Sequence, residues 1–326
     1  MPKPIAFLIF LIIEIVLLPV TIVGGIIFAV DFIAKWRVAR TLMTAYDPLF
    51  ARWLLNAQGK RTDAACKRLL AALPGGSPTI INLMCGPTVL AMRLTGFTVN
   101  MYDYPVYSSS NLIDTLGHRT RFFDDAMLGY LDKVSQVVIL GAGWDTRAYG
   151  LARREGVRVF EVDTVKTQTQ KRKSLEKANI DTAGITFATA DFNTETWLDA
   201  LNRVGFDPNK PTFVLMEGVT YYLETKAVEA TLRIVATELA KDSTIAFEYP
   251  AEHIFKDDAP LFHRLVGWGT QLVGEPWIFG GISTKPPAKE QLAVFLERNG
   301  LTLANFEPIG KQGKRLHGGL ALAVNE

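Results

Sequence analysis

Cysteine is scarce in this chain. Cys66 and Cys85 are the two present, far apart in 326 residues and in no CxxC pair. They read as reduced core thiols of a cytosolic domain, and no disulfide framework is expected. Histidine is almost as rare, and His118, His253, His263 and His317 show no metal-ligand spacing. An excess of one charge is also missing. The 35 Lys and Arg are nearly matched by 33 Asp and Glu, for a formal net charge of +2. Long-range electrostatics therefore give no reason to expect a nucleic-acid partner. No G-K-[ST] follows a strand, so a phosphate-cradling P-loop is absent. Internal repeats and low-complexity segments are absent too.

What is present begins with a long apolar run. Ile5 to Val30 is interrupted only by Glu14 and Thr21 among strongly polar positions. As a helix it is about 39 Å long at ~1.5 Å per residue, enough to cross a ~30 Å hydrocarbon core with some tilt. A cleaved signal peptide normally has an apolar region of only ~7–15 residues, and no A-x-A site follows this one. Lys35, Arg37 and Arg40 lie after the run, against Lys3 before it, which places the C-terminal side in the cytosol. The expectation is a single-pass membrane helix with a cytosolic domain. Glu14 can sit protonated, face a partner helix or mark a site. With no second span in the sequence, an incidental or oligomerising role is expected for it.

Next, residues 32–43 mix aromatics with basic residues, as a membrane-surface helix or a helical linker would. Asp47-Pro48 starts a helix whose periodicity runs from Leu49 to Leu73 and which Leu73-Pro74-Gly75-Gly76 closes. Ile80 to Leu83 is a short apolar segment, Gly86-Pro87 reads as a break, and Thr88 to Leu94 as a further helix. Tyr102 to Ser110, rich in Tyr and Ser, reads as a loop near a site mouth. The chain thus divides into an anchor with basic flank (1–40), a helical cap or linker (41–117) and a main domain (118–326).

The main domain is organised around Gln136 to Asp163. Val137 to Leu140 is a continuous apolar run of the kind that is buried on both faces as a strand. Gly141-Ala142-Gly143 turns the chain, its glycines permitting close approach of a ligand and positive φ. Thr146 to Arg154 reads as a short helix, and Val157 to Val162 as a second strand ending on Asp163. An acid there can accept hydrogen bonds from both ribose hydroxyls of a nucleotide. Thr146 stands where G-x-G-x-x-G needs its third glycine, so a dinucleotide is disfavoured and a nucleoside without phosphates suits better. An ordinary tight βα turn is the competing reading. Further strands are expected at Ile185–Ala190, Thr212–Met216, Thr244–Phe247, Leu301–Phe306 and Gly319–Val324, the last two antiparallel. Helices are expected at Val165–Ala178, with a solvated basic face, and around Thr194–Val204, Lys226–Ala240 and Ala288–Asn299. Residues 251–287 read as helices or a lid.

Five segments, RTRFFDDAML, VVILGAGWDTRAYGL, FEVD, TADFNTETW and FVLMEGVTYYL, in this order resemble the leucine carboxyl methyltransferase-like family. The resemblance runs from about His118 to the C-terminus. It implies an α/β fold with a seven-stranded Rossmann-like sheet, the last pair antiparallel and helices on both faces. It also implies S-adenosyl-L-methionine as cofactor and methyl transfer to oxygen. By the resemblance, Arg119, with Arg121 as alternative, meets the methionine carboxylate. Gly141, Ala142 and Gly143 form the turn, and Asp163 holds the ribose. Asp191 accepts from the adenine amino group, Phe192 lies on the adenine, and Glu217 contacts the cofactor. Tyr222 stands near the acceptor as the candidate catalytic residue. Asp191 also reads as an N-cap, and Arg147 as a ligand of an acceptor carboxylate or, in preference, as a structural ion pair with Asp145 or Glu161. The apolar N-terminus departs from the family's soluble pattern and points to a small lipophilic or membrane-associated acceptor. Protein C-terminal methylation, a non-catalytic tethered nucleoside-binding domain and a nicotinamide dehydrogenase are the alternatives.

Overall fold

Seven runs of β-forming residues pair into one sheet: β1 (Gln136–Leu140), β2 (Arg158–Asp163), β3 (Ile185–Thr189), β4 (Thr212–Met216), β5 (Thr244–Pro250), β6 (Thr302–Ile309) and β7 (Gly318–Val324). Their order is β3-β2-β1-β4-β5-β7-β6, as a computed structural model of the chain gives it. The structure describes residues 2–34, 43–73, 76–99, 103–109, 115–256, 259, 261–272, 274–311 and 313–326. The first five strands are parallel, with Val137 opposite Val159 on one side and Phe213 on the other. β7 runs antiparallel to both β5 and β6. The expected seven-stranded arrangement with an antiparallel last pair is therefore present. β5 is longer than expected, because Glu248, Tyr249 and Pro250 continue to pair with β7.

Every residue of β1 and β4 is buried, which explains why they read as unbroken apolar runs. Val138 and Leu140 face one core, with Trp197, Val228 and Leu292. Val137 and Ile139 face the other, with Phe122, Phe123 and Met127. Helices thus cover both faces. The described helices from residue 115 onward are α5 (Thr115–Tyr130), α6 (Val165–Lys177), α7 (Trp197–Asn202), α8 (Thr225–Thr237), α9 (Leu261–Leu272) and α10 (Ala288–Glu297).

Among the described residues, four helices precede them: α1 (Lys3–Ala34), α2 (Met43–Ala57), α3 (Ala64–Ala72) and α4 (Pro78–Thr95). Two expectations are corrected here. The periodic stretch from Leu49 to Leu73 is two helices, because Gly59 turns at φ +74° and the Asp63 carboxylate accepts from the Cys66 N–H to start α3. Conversely, Gly86-Pro87 does not break α4, which Ser77 caps and which continues through Pro87 to Gly96 in the left-handed conformation. Pro87 removes the N–H that would have met the Leu83 carbonyl, but packing along α1 keeps the helix in line. The basic flank at Lys35, Arg37 and Arg40 lies outside the described residues, as do Pro74, Gly75, Tyr102 and Ser110 of the expected turn and loop.

A third core joins these helices to the sheet. Leu49, Trp53, Cys66, Leu69 and Met92 are buried together with Trp144, next to the glycine turn, and Leu175 of α6.

Candidate nucleoside-binding site

The strand order reverses between β1 and β4, and a cavity of roughly 440 Å³ opens at the carboxyl ends of the strands there. Such a crevice is where open α/β sheets bind ligands. Its walls include Gly141, Ala142, Gly143, Asp163, Asp191, Phe192, Glu217 and Tyr222. Eight of the nine sequence-derived site residues therefore share one space. Arg119 does not line it.

The turn after β1 is built for close approach. Gly141 has φ +58°, and a Cβ on it would come within 2.3 Å of Val219 Cγ2. The Asp163 carboxylate closes the turn from β2, with Oδ2 accepting from the Gly143 N–H at 2.7 Å and Oδ1 from the Thr164 N–H at 2.7 Å. A carboxylate has about four lone-pair positions; the Gly143 and Thr164 N–H groups and the Thr167 side chain take three of them, which leaves capacity to accept from a ligand hydroxyl. Burial pushes the Asp163 carboxyl up from its ordinary value, against the pull of those two N–H groups. The expected helix over 146–154 is only a 3₁₀ turn at Arg147–Tyr149. The Arg147 carbonyl there accepts from both Gly150 and Ala152.

Beneath the turn, Lys171 overturns the reading of α6 as a simple solvated face. Its ammonium is fully buried, 2.8 Å from Glu161 Oε2 and donating to the Ala142 carbonyl at 3.1 Å. Tyr149 also donates to Glu161 Oε2, at 3.0 Å. Burial raises the Glu161 carboxyl to about 7, although Lys171 opposes it.

At the end of β3, Asp191 is exposed and its Oδ1 accepts from the Asn193 N–H at 3.0 Å, while Thr196 caps α7. Asp191 is thus a turn residue at the rim and not the helix cap. Tyr222 ends a 3₁₀ turn, Thr220–Tyr222. Gly274, Glu275, Pro276 and Ile278 cover the same side of the cavity, and Ile278 N–H and Phe279 N–H both donate to the Tyr221 carbonyl, at 2.9 and 3.3 Å.

Glu217 stands over a buried charge network. Arg147 pairs with Glu217, with Asp145 at 2.6 Å and with Asp124 at 2.6 Å. Arg52 reaches Asp145 at 3.0 Å and Glu217 at 3.4 Å. Arg61 joins Asp63 to Asp124. Arg119 lies between Glu217 (3.1 Å) and Glu248 (3.3 Å). Arg121 turns away to Glu307 and Asp125. In all, four guanidinium groups face the carboxylates of Asp63, Asp124, Asp145, Glu217 and Glu248. Burial raises Glu217, but Arg147, Arg52 and Arg119 outweigh it and hold the carboxyl below its usual value. Glu248 moves the other way, pushed up by burial. Arg147 thus does form an ion pair with Asp145, but Glu161 takes Lys171 instead. Pro48 and Arg52, from the segment read as cap or linker, also line the cavity. The sequence reading missed both; a lone arginine inside the apolar FARWLL run was the available signal.

The fold and site define a Rossmann-like α/β domain with a nucleoside-sized crevice ended by carboxylates. Within that class, residues 106–236 match the leucine carboxyl methyltransferase family. A protein of Mycolicibacterium gilvum named as an S-adenosyl-L-methionine-dependent methyltransferase is 34% identical over 57% of this chain and 63% of its own length. A similarly named protein of Mycolicibacterium vanbaalenii is 29% identical, over 68% of this chain and 74% of its own length. Among solved structures, a methyltransferase from Thermobifida fusca superposes with a TM-score of 0.46 and 17% identity, over 82% of this chain and 96% of that one.

Proposed function

We propose that this chain is an S-adenosyl-L-methionine-dependent O-methyltransferase acting on a carboxylate or hydroxyl of a small lipophilic acceptor at a membrane. The observation that carries the cofactor is Asp163. Its two oxygens hold the glycine turn, keep room to accept from a ribose hydroxyl, and open on the crevice. In this reading Asp191 and Phe192 serve the adenine and Glu217 the methionine end, all three lining the same cavity. Arg119 is held by Glu217 through Nε and by Glu248 through Nη1, so its proposed role as ligand of the methionine carboxylate is played from beside these two acids.

When bound, the cofactor supplies a methyl carbon already activated by its sulfonium. The protein's task is then positioning and exclusion of water. The turn at Gly141–Gly143 lets the ligand approach the main chain closely. The network under Glu217 fixes that carboxylate in place, with no further reorganisation needed around it. Tyr222, on the acceptor side, donates a hydrogen bond to orient the acceptor oxygen. A carboxylate acceptor is ionised at neutral pH, with a pKa of about 4, and needs no base. A hydroxyl acceptor would need one.

In this reading helix α2 serves as a cap on the catalytic domain, since its Pro48 and Arg52 line the cavity. α1 is long and apolar enough to cross a membrane, and we read it as the attachment, with the domain on the cytosolic side. A single-pass span and an in-plane helix are both attachments of this kind; they differ in where Lys3 ends up. Calorimetry on detergent-solubilised protein tests the cofactor. Binding of S-adenosylmethionine and its demethylated product, with none of NAD, is expected; NAD binding as tight or tighter would overturn it.

A further inference from the structure

α1 has one seam, and between Ile5 and Val30 the rest of its surface is apolar. Ala6, Phe10 and Gly24 are buried, and Ile13, Glu14 and Thr21 partly so, at the three- and four-residue spacing of one helix face. That face lies along α4. The Phe7 and Phe10 rings stand 5.2 and 5.0 Å from Phe97, and Glu14 Oε2 is 3.3 Å from Thr88 Oγ1. A Cβ on Gly24 would come within 2.5 Å of the Met84 backbone nitrogen. The two helices therefore run antiparallel in contact from Phe10 to Gly24, about 21 Å at ~1.5 Å per residue. Glu14 and Thr21, the polar residues inside the apolar run, both lie on this seam. The outer surface is continuous hydrocarbon, with Leu8, Ile15, Val16, Ile26 and Val30 exposed. An apolar surface of that extent, with no charged residue between Phe7 and Val30 on its outer side, matches acyl chains.

α4, in contrast, belongs to the water-soluble part. At its C-terminal end Arg93 donates to the Ala57 carbonyl, and Lys60 reaches Thr98 Oγ1 just beyond, at 3.0 Å. Before its N-terminal end, Lys177 of α6 donates to the Ala72 carbonyl of α3 at 3.3 Å. Lys67, Arg68 and Arg93 are exposed beside it. If α1 crossed the bilayer upright, α4 and these cations would be drawn into hydrocarbon along the same 21 Å of contact, where Lys and Arg are strongly disfavoured.

We propose that α1 lies in the plane of the membrane interface, between α4 and the acyl chains, so that Lys3 and the catalytic domain are on the same side. This rests on the membrane attachment proposed above and is independent of the chemistry of the site.

The test uses the full chain with an epitope tag at each end, in sealed vesicles whose cytosolic face is outward. The chain should pellet with the vesicles, and protease without detergent should remove both tags. A protected N-terminal tag with a digested C-terminal one would show a crossing helix and overturn the in-plane placement alone. A chain left in the supernatant, or one lacking its N-terminal tag before protease, would overturn the attachment itself. A second measurement places single cysteines at Leu8, Val16 and Val30 in a Cys85→Ser background, with a fluorophore quenched by lipids brominated at known depths. Equal, shallow depth at all three is expected; a Val16 label much deeper than the other two would overturn the proposal. Pairing of α1 with a second copy would leave all three labels unquenched and would overturn it as well.

Discussion

The two walls of the cavity are made in different ways. The wall at Gly141–Gly143 and Asp163 comes from one βαβ unit, and its contacts are between a carboxylate and backbone N–H groups within 20 residues of each other. The wall at Glu217 draws on Arg52, Arg119 and Arg147, from as far as 165 residues away. The first wall is a local shape with spare acceptor capacity. The second is a closed set of buried charges that hold one another. A local wall is expected to lose affinity when altered, and a long-range wall to lose the fold.

The largest effect should follow Arg147→Ala. Its guanidinium is fully buried between Asp124, Asp145 and Glu217. Removing one partner of a buried pair costs about 3–5 kcal/mol, because the remaining charge is left uncompensated. Urea denaturation should show that loss, and a change under 1 kcal/mol would mean that water or rearrangement replaces the arginine. Next comes the local wall. Asp163→Ala and Asp191→Ala each remove hydrogen bonds to a charged group, worth ~1.5–3 kcal/mol, and should weaken S-adenosylmethionine binding by roughly 10- to 100-fold. Asp191, exposed at the rim, should fall at the lower end. Wild-type affinity in both would separate the nucleoside from this wall.

A smaller effect separates the walls by pH. Glu161 is raised from 4.5 to about 7 by burial, so the folded state binds its proton more tightly than the unfolded one. Its contribution to stability is full below about pH 4.5 and is lost as pH rises to about 7. Denaturation midpoints across this range should show a falling component in wild type that Glu161→Gln removes; an unchanged slope in the variant would assign it elsewhere. The smallest effect on binding should be that of Tyr222→Phe. Cofactor affinity should stay within about twofold, well under the ~1.4 kcal/mol of a tenfold change, while transfer to the acceptor falls. Loss of cofactor binding instead would move Tyr222 to the nucleoside side.

The same contrast explains what could be read from sequence. The strands of the sheet and the turn at Gly141 were legible because local pattern dictates them: unbroken apolar runs, two glycines and an acid at a strand end. Their gathering at one crevice follows from the topology of parallel strands. Lys171 was not legible, since a lysine among five basic residues on a helix gives no sign of which one turns inward onto Glu161. Arg52 was hidden for the same reason, its partners being 93 and 165 residues on. The continuity of α4 through Gly86-Pro87 escaped because local breakers were overruled by a neighbour, α1, whose seam is visible only once both helices are in place.

The Tyr221 carbonyl carries a consequence for rates. It accepts from both Ile278 and Phe279, which continue from the segment covering the cavity. Its peptide bond is also the one that leads into Tyr222. On the proposed placement of Tyr222 beside the acceptor, this carbonyl ties the cavity-lining residues of 274–278 to the peptide that precedes the tyrosine. A substitution that loosens it is expected to change ligand release and methyl transfer together.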